Sequence, residues 1–121
     1  EVIETVFVYG TLKEGYGNHG LLHKSIKVSN ATTCEKYGMY ETGIPYVIKD
    51  QSKTTIKGEV YLVDGMTFDV LDSLEGHPVC YKREKIKVLL DNNRTTTAWI
   101  YFYPNQCGRE ISDGVYKLKN Y

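Results

Sequence analysis

The sequence of 121 residues predicts an α+β fold in which a mostly antiparallel sheet dominates and helices are few and short. Five runs rich in Val, Ile, Thr or Tyr are flanked by Gly, Asp, Asn or Pro, which is the pattern of β-strands. Only one segment shows a convincing helical periodicity. The sequence Asp91-Asn92-Asn93 between two of the runs indicates a hairpin, because Asn and Asp tolerate positive φ in tight turns.

The predicted elements follow one another closely along the chain. Strands are expected at 5–9, about 45–49, 56–63, 84–90 and 96–103. A short helical turn is expected at 17–25, and the one convincing helix at 66–75. The last dozen residues are predicted to form a loop and a short tail. No repeat, low-complexity segment or linker interrupts the pattern, so a single domain over residues 1–121 is the expected organisation.

Charge and cysteine usage exclude several classes of protein. Fifteen basic and fifteen acidic side chains cancel without forming blocks of like charge, so no nucleic acid or membrane partner is indicated. No apolar run approaches the roughly 20 residues that cross a bilayer, and the start of the chain shows no signal-peptide pattern. Cys34, Cys80 and Cys107 are odd in number and lack CxxC spacing, which argues against a disulfide framework or a zinc site. We expect a cytoplasmic protein with small-molecule partners.

One apolar strand runs directly into a glycine-bearing turn, in the segment Val6-Phe7-Val8-Tyr9-Gly10-Thr11-Leu12. Gly10 permits a backbone conformation or a close approach that a side chain would block. Behind a strand end, such a turn can direct several backbone N–H groups at one anion. An ordinary β-turn explains the same residues, and the spacing alone does not separate the two interpretations.

The predicted helix carries a carboxylate on its apolar side. Phe68, Leu71 and Leu74 share that side, whereas Asp69, Asp72 and Ser73 lie mostly opposite. Glu75 follows Leu71 by four residues, so it is turned toward the interior. Gly76 is placed to end the helix, and Pro78 prevents its continuation.

A carboxylate in that position is expected to have a raised pKa. Burial disfavours its ionised form, and so does the negative end of the helix dipole. A pKa near the operating pH suits a group that accepts a proton and then returns it. Alternatively, Glu75 forms an ion pair with Lys82 or Arg83 and ties the helix to the next strand; the residues alone leave this choice open.

Other residues offer weaker indications of chemistry. Eleven tyrosines suit the walls of a binding cleft or a semi-exposed sheet face. His19 and His23 lack carboxylate or cysteine companions, so no metal site is expected. A cysteine hydrolase that uses Cys80 and His77 lacks an orienting partner, and Cys80 is expected to be a small buried apolar residue.

Three motifs in order carry a resemblance to a known family. They are Val6 to Leu12 with Asn18, the strand Gly58-Glu59-Val60-Tyr61, and Leu71-Asp72-Ser73-Leu74-Glu75-Gly76-His77-Pro78 leading to Tyr81-Lys82-Arg83. Over nearly its whole length the chain resembles the γ-glutamylcyclotransferase-like family, and its opening motif looks most like the γ-glutamylamine cyclotransferase branch. The resemblance implies that the sheet is mixed and barrel-like.

The resemblance also implies a reaction. The free α-amine of a small γ-glutamyl substrate attacks its own γ-carbonyl, which forms 5-oxoproline and expels the amine or amino acid, without a cofactor. Glu75 matches the family's catalytic acid/base, and Tyr9, Gly10, Thr11 and Leu12 match its substrate-holding loop. Asn18 is expected to brace this loop, Arg83 to be structural, and Tyr81 to line the cleft or to pack.

Residues 24–55 carry little motif beyond Gly43-Ile44-Pro45-Tyr46 and are expected to shape the pocket for the leaving group. The sequence does not choose among leaving groups or oligomeric states. The alternative function is a non-catalytic protein that keeps this fold and binds a small ligand or another protein. The acid at position 75 argues against that alternative, because a carboxylate in an apolar stripe is destabilising unless it has a use.

Overall fold

A closed barrel of five strands lies at the centre of the computed structural model, which describes residues 2–117. The neighbours around the barrel are β2, β4, β1, β6 and β5, and β5 pairs again with β2 to close it. The elements in chain order are β1 (Ile3–Val8), a 3₁₀ helix (His19–Leu22), β2 (Ile26–Glu41), β3 (Pro45–Ile48), β4 (Thr54–Asp64), α1 (Gly65–Glu75), β5 (Lys82–Leu90), β6 (Thr95–Phe102) and β7 (Arg109–Glu110).

The predicted fold class is confirmed. All barrel pairings are antiparallel except that of β1 with β6, so the sheet is mixed and mostly antiparallel. The predicted hairpin joins β5 to β6, and in it the Leu90 amide donates to the Arg94 carbonyl at 2.8 Å. Asn93 has a φ of 66°, as this turn chemistry predicts.

Two strands were missing from the sequence prediction. β2 spans 16 residues of a region in which only the short strand near 45–49 was expected. Its first half pairs with β4 and β5, and its last residues leave the barrel to pair with β3 and β7. The pairing with β4 shifts register twice, so neither face of β2 stays in the same environment along the whole strand. Its polarity therefore does not alternate, and the usual strand signal is absent.

β7 is the second omission, and its second residue, Glu110, begins the last dozen residues, which were predicted to form a loop and a short tail. It adds to the far end of β2, where Tyr40 pairs with Glu110 and Glu41 with Arg109. The expected tail is irregular from position 111 to 117, and the part of it at 118–121 lies outside the described residues.

β1 is buried on both sides, which explains its continuous apolar run. Successive residues of a strand point to opposite faces. Phe7 points into the barrel, where it meets residues of the other four strands. Val6 and Val8 point outward and are covered by Phe68 and Leu71 of α1. This packing places the C-terminal end of α1 beside the turn that follows β1.

The three cysteines are free and exposed, which corrects the expectation that Cys80 is buried. Cys80 lies on the surface in the turn between α1 and β5 rather than under the helix. Within residues 2–117, no helix is both long enough and apolar enough to span a membrane.

Candidate active site

A cavity of about 130 Å³ opens where the end of β1 meets the end of α1. A cavity of about 150 Å³ in a protein interior accommodates a benzene-sized molecule, so this one fits the head group of a small molecule. The turn after β1 forms one side, and Leu74 with Glu75 forms another. Ile44 and Pro45 close it from the start of β3.

Local signals set both ends of α1. The helix begins after Asp64, whose carboxylate accepts a hydrogen bond from the Thr67 amide at 2.7 Å. It ends at Gly76, which adopts the left-handed conformation at φ 64°. The Glu75 carbonyl then accepts from the Tyr81 amide at 3.0 Å. Glu75 is therefore the last helical residue, held at the mouth of the cavity.

Burial raises the pKa of the Glu75 carboxyl to about 7. The side chain is half-buried, and among residues 2–117 it has neither a hydrogen-bond partner nor an ion-pair partner. The ion pair that the sequence left open is not formed, because Arg83 donates to Asp72 at 2.9 Å instead. Near neutral pH, both protonation states of Glu75 are therefore accessible.

The turn after β1 is braced through its carbonyls and through one side chain. The Lys13 amide donates to the Gly10 carbonyl at 3.1 Å, which closes a β-turn. Asn18 holds Thr11 twice, from its backbone amide to the Thr11 carbonyl at 2.9 Å and from Nδ2 to Oγ1 at 2.8 Å. His19 Nδ1 bonds the Leu12 carbonyl at 3.0 Å.

The amides of this turn, in contrast, are free to bind a ligand. Those of Gly10, Thr11 and Leu12 donate to no acceptor within the described part of the chain. All three residues line the cavity. The segment is thus an ordinary β-turn that leaves three backbone donors unpaired within the described residues, and the binding of an anion by these donors stays a prediction.

Gly10 is needed for close approach. A Cβ at this position would lie 2.7 Å from Cγ of Pro45, a distance that forces the two segments apart. The start of β3 is therefore able to form one wall of the cavity. Ile44 and Leu74 form an apolar rim, and Leu74 is 43% exposed there although it lies on the apolar side of the helix.

Three tyrosines complete the wall around Glu75, and each hydroxyl already has an acceptor. Tyr9 donates to the Tyr101 carbonyl at 2.8 Å, and Tyr81 to the Pro45 carbonyl at 3.3 Å. Tyr101 donates to Asp72 Oδ1 at 2.6 Å. Burial raises the pKa of all three tyrosines, and the Glu75 carboxylate adds to this effect. They are therefore neutral in the physiological pH range.

Sequence reasoning missed Tyr101 and Asp72. Tyr101 belongs to the run Trp99-Ile100-Tyr101-Phe102, in which apolar residues occupy both faces of the strand and alternation is uninformative. Asp72 was placed mostly opposite the apolar side, yet its carboxylate is partly buried between Tyr101 and Arg83. The spacing of three residues between Asp72 and Glu75 was the available signal, because such residues are neighbours on a helix.

Arg83, which was expected to be structural, ties β5 to α1 through Asp72. Its guanidinium lies over the rings of Phe68 and Trp99, 4.5 Å from each centroid. Across residues 2–117, no three His, Cys, Asp or Glu side chains are grouped in a way that could hold a metal ion. His19 and His23 each bond a backbone carbonyl.

Sequence comparison shows the family of this chain. Residues 6–118 match the model of a family described as gamma-glutamyl cyclotransferase, AIG2-like. The chain belongs to this family. A relative from Methanocaldococcus jannaschii, provisionally named gamma-glutamylcyclotransferase, is 45% identical over 116 residues, which cover 95% of this chain and 97% of that protein.

Two further members show how far the similarity extends. The human protein named gamma-glutamylaminecyclotransferase is 36% identical over 102 residues, which cover 77% of this chain and 67% of that protein. The crystal structure of an AIG2-like protein from Mus musculus superposes with a TM-score of 0.86 at 23% identity, covering 97% of this chain and 90% of that one. The second comparison shows that the AIG2-like fold is shared.

Proposed function

We propose that this AIG2-like protein is an enzyme that cyclises a γ-glutamyl amine or γ-glutamyl amino acid to 5-oxoproline and releases the free amine or amino acid. One observation carries the proposal: the Glu75 carboxyl, with a pKa near 7, lines the same cavity as the free amides of Gly10, Thr11 and Leu12. The names of the two relatives above agree with γ-glutamyl chemistry. The proposed substrate is a small molecule and the proposed location is the cytoplasm.

The proposed reaction needs only one proton-transfer group. Ionised Glu75 takes a proton from the α-ammonium group, and the resulting amine attacks the γ-carbonyl carbon. A C–N bond forms in the five-membered ring, and the bond to the leaving nitrogen breaks as Glu75 returns its proton there. The α-nitrogen loses two protons in total and the leaving amine gains two, so the reaction is balanced without a cofactor.

The turn after β1 supplies orientation. Intramolecular attack is fast when the reacting atoms are held close, and effective molarities of roughly 10⁵ M or more have been measured for well-aligned groups. The three free amides suit the α-carboxylate of the γ-glutamyl head or the oxyanion that forms at the γ-carbon. Asn18 fixes Thr11 by two hydrogen bonds, and so it holds the turn that carries these amides in one conformation beside the cavity.

The proposal is tested by incubating the protein with γ-glutamyl compounds and measuring 5-oxoproline. The panel includes a γ-glutamyl amino acid, the ε-lysine conjugate and a simple γ-glutamyl alkylamine. The matching α-glutamyl compounds are the control, because their amine is attached to the α-carbonyl, and attack by the α-amine there would need a three-membered ring, so ring closure cannot expel that amine. We expect release from at least one γ-glutamyl compound and none from the control. Folded protein that is inactive on the whole panel would favour the non-catalytic binding function.

The pH dependence of the reaction is expected to show an acidic limb with its midpoint near 7. Glu75 must be ionised to accept the α-ammonium proton, and its pKa is about 7, so kcat/KM falls as the pH drops through that value. A glutamate with the ordinary pKa of 4.5 would place this limb near pH 4.5. Rates of 5-oxoproline release between pH 5 and 9 distinguish the two positions, and a kcat/KM that stays level down to pH 5 would contradict the assignment of Glu75 as the base.

A further inference from the structure

The charge of the Glu75 carboxylate acts on the Tyr101 hydroxyl, but the hydroxyl does not donate to that carboxylate. Both residues line the cavity, whereas the hydroxyl bonds Oδ1 of Asp72 at 2.6 Å. Asp72 is three residues before Glu75 on α1, and helical residues at that spacing have Cβ atoms only about 5–6 Å apart. The two carboxylates are therefore neighbours on α1, and the phenolic hydroxyl donates to the first of them.

Asp72 is the stronger competitor for this donor because it stays ionised. Burial alone would raise its pKa, but hydrogen bonds from Arg83 and Tyr101 outweigh burial and lower the pKa below its usual value. The Arg83 Nε atom donates to the same oxygen at 2.9 Å. Arg83 is itself held over the rings of Phe68 and Trp99, so the acceptor is fixed in place.

We propose that Asp72 is a positioning residue: by accepting the Tyr101 hydroxyl, it keeps that donor away from Glu75 and leaves the Glu75 carboxylate without a hydrogen bond. A donor to an ionised carboxylate stabilises the charged form. A carboxylate bonded in this way would be a weaker base and a slower proton carrier. The catalytic consequence rests on the proposed function, but the arrangement of the hydrogen bond does not.

The other polar groups on the elements around the cavity have hydrogen-bond partners of their own. Tyr9, at the end of β1, and Tyr81, before β5, donate to backbone carbonyls. His77 is close enough to Asp72 to affect its charge, and its Nδ1 accepts from the Arg83 amide at 3.2 Å. On the side of the 3₁₀ helix, Asn18 and His19 bond the turn after β1, and on β4 Glu59 accepts from Tyr61 and from the Glu14 amide.

The test is a direct titration of the Glu75 carboxyl by ¹³C NMR, with the resonance assigned by its absence from Glu75→Gln. In the unaltered protein the midpoint is expected near 7. Tyr101→Phe should leave it unchanged, since the hydroxyl does not bond Glu75. Asp72→Ala frees the Tyr101 hydroxyl, and the titration midpoint of Glu75 should fall by about 1 pH unit, which corresponds to the free energy of one hydrogen bond. Asp72→Ala combined with Tyr101→Phe should restore it.

Three results would overturn the proposal. No fall in Asp72→Ala would mean that the hydroxyl does not transfer to Glu75. A fall that persists in the double variant would assign the effect to the unpaired Arg83 charge instead. A rise in Tyr101→Phe would mean that the hydroxyl already bonds Glu75. Because the measurement needs no turnover, a protein that releases no 5-oxoproline still tests the proposal.

Asp72→Ala leaves Arg83 without its partner, so that variant could fail to fold. Asp72→Ala with Arg83→Met removes both charges, an exchange that is often neutral for stability. This variant should show the same fall of about 1 in the Glu75 midpoint, with no cation left to cause it. An unchanged midpoint in that folded variant would contradict the proposal. In an active protein, the acidic limb of kcat/KM should move to lower pH with the midpoint.

Discussion

Glu75→Gln is expected to reduce kcat/KM for 5-oxoproline release by about 10²–10⁴-fold, the usual contribution of a general acid–base group. Glutamine preserves the size and polarity of the side chain at the end of α1, but it cannot accept a proton from the α-ammonium group and return it to the leaving nitrogen. The measurement is a progress curve with the best substrate of the panel at pH 8, where the unaltered carboxyl is ionised.

Asp69→Asn is the matched control for this change. Asp69 is exposed on the same helix, so the substitution removes a carboxylate of equal charge away from the cavity. It should leave kcat/KM within twofold of the unaltered value. Full activity in Glu75→Gln would remove Glu75 from the mechanism, and equal losses in both variants would point to a general effect of charge on the helix.

Glu75→Gln is also expected to change the stability of the protein, and this effect can be measured without a substrate. The folded-state pKa of Glu75, about 7, lies above the unfolded value near 4.5, so the folded state binds the proton more tightly. Stability is therefore lost as the pH rises from about 4.5 to 7. Glutamine does not ionise, so Glu75→Gln should melt at a higher temperature than the unaltered protein at pH 8. This difference should disappear near pH 4.

Leu71→Ala is expected to lower the free energy of unfolding by about 2–5 kcal/mol, the range for truncating a buried leucine. Leu71 has no exposed surface and packs against the outward residues of β1. The cavity left behind would lie one turn before Glu75, so the carboxylate would also lose its fixed position. Urea unfolding, followed by circular dichroism, measures the change.

Val70→Ala is the control for Leu71→Ala, because Val70 is on the same helix and 46% exposed. Alanine also has the higher helix propensity, so this variant should be within about 0.5 kcal/mol of the unaltered protein. If both variants lost the same free energy, the packing of α1 on β1 would not be the source of the effect.

Local sequence signals predicted the two segments that form the site, the turn after β1 and the end of α1. The end of β1 was marked by an apolar run that stops at Gly10, and the end of α1 by Gly76 and Pro78. Helical periodicity placed Glu75 toward the interior, and burial alone accounts for its raised pKa. These features depend on residues that are close in the chain, which is where patterns of propensity and periodicity carry information.

The ion-pair partner of Arg83 could not be predicted from the sequence in the same way. Asp72 and Glu75 are both carboxylates within reach of the strand that follows, and only the packing of α1 decides between them. In the folded chain Arg83 and Tyr101 both donate hydrogen bonds to Asp72, and Glu75 has no hydrogen-bond partner among the described residues. β2 was missed for a related reason, since its neighbours change along its length and its side chains meet several environments in turn.

Closure of the barrel has a consequence for how fast the protein folds. The strand that begins the chain pairs with one near its end, as Val6 pairs with Trp99, and the seam joins Ala31 to Leu90. Such contacts require long loops to be ordered before any of their free energy is gained. Domains dominated by distant pairings fold over roughly milliseconds to seconds, far more slowly than helical bundles. The cavity draws its lining from Phe7 in β1 to Tyr101 in β6, so it is complete only when these distant strands have paired.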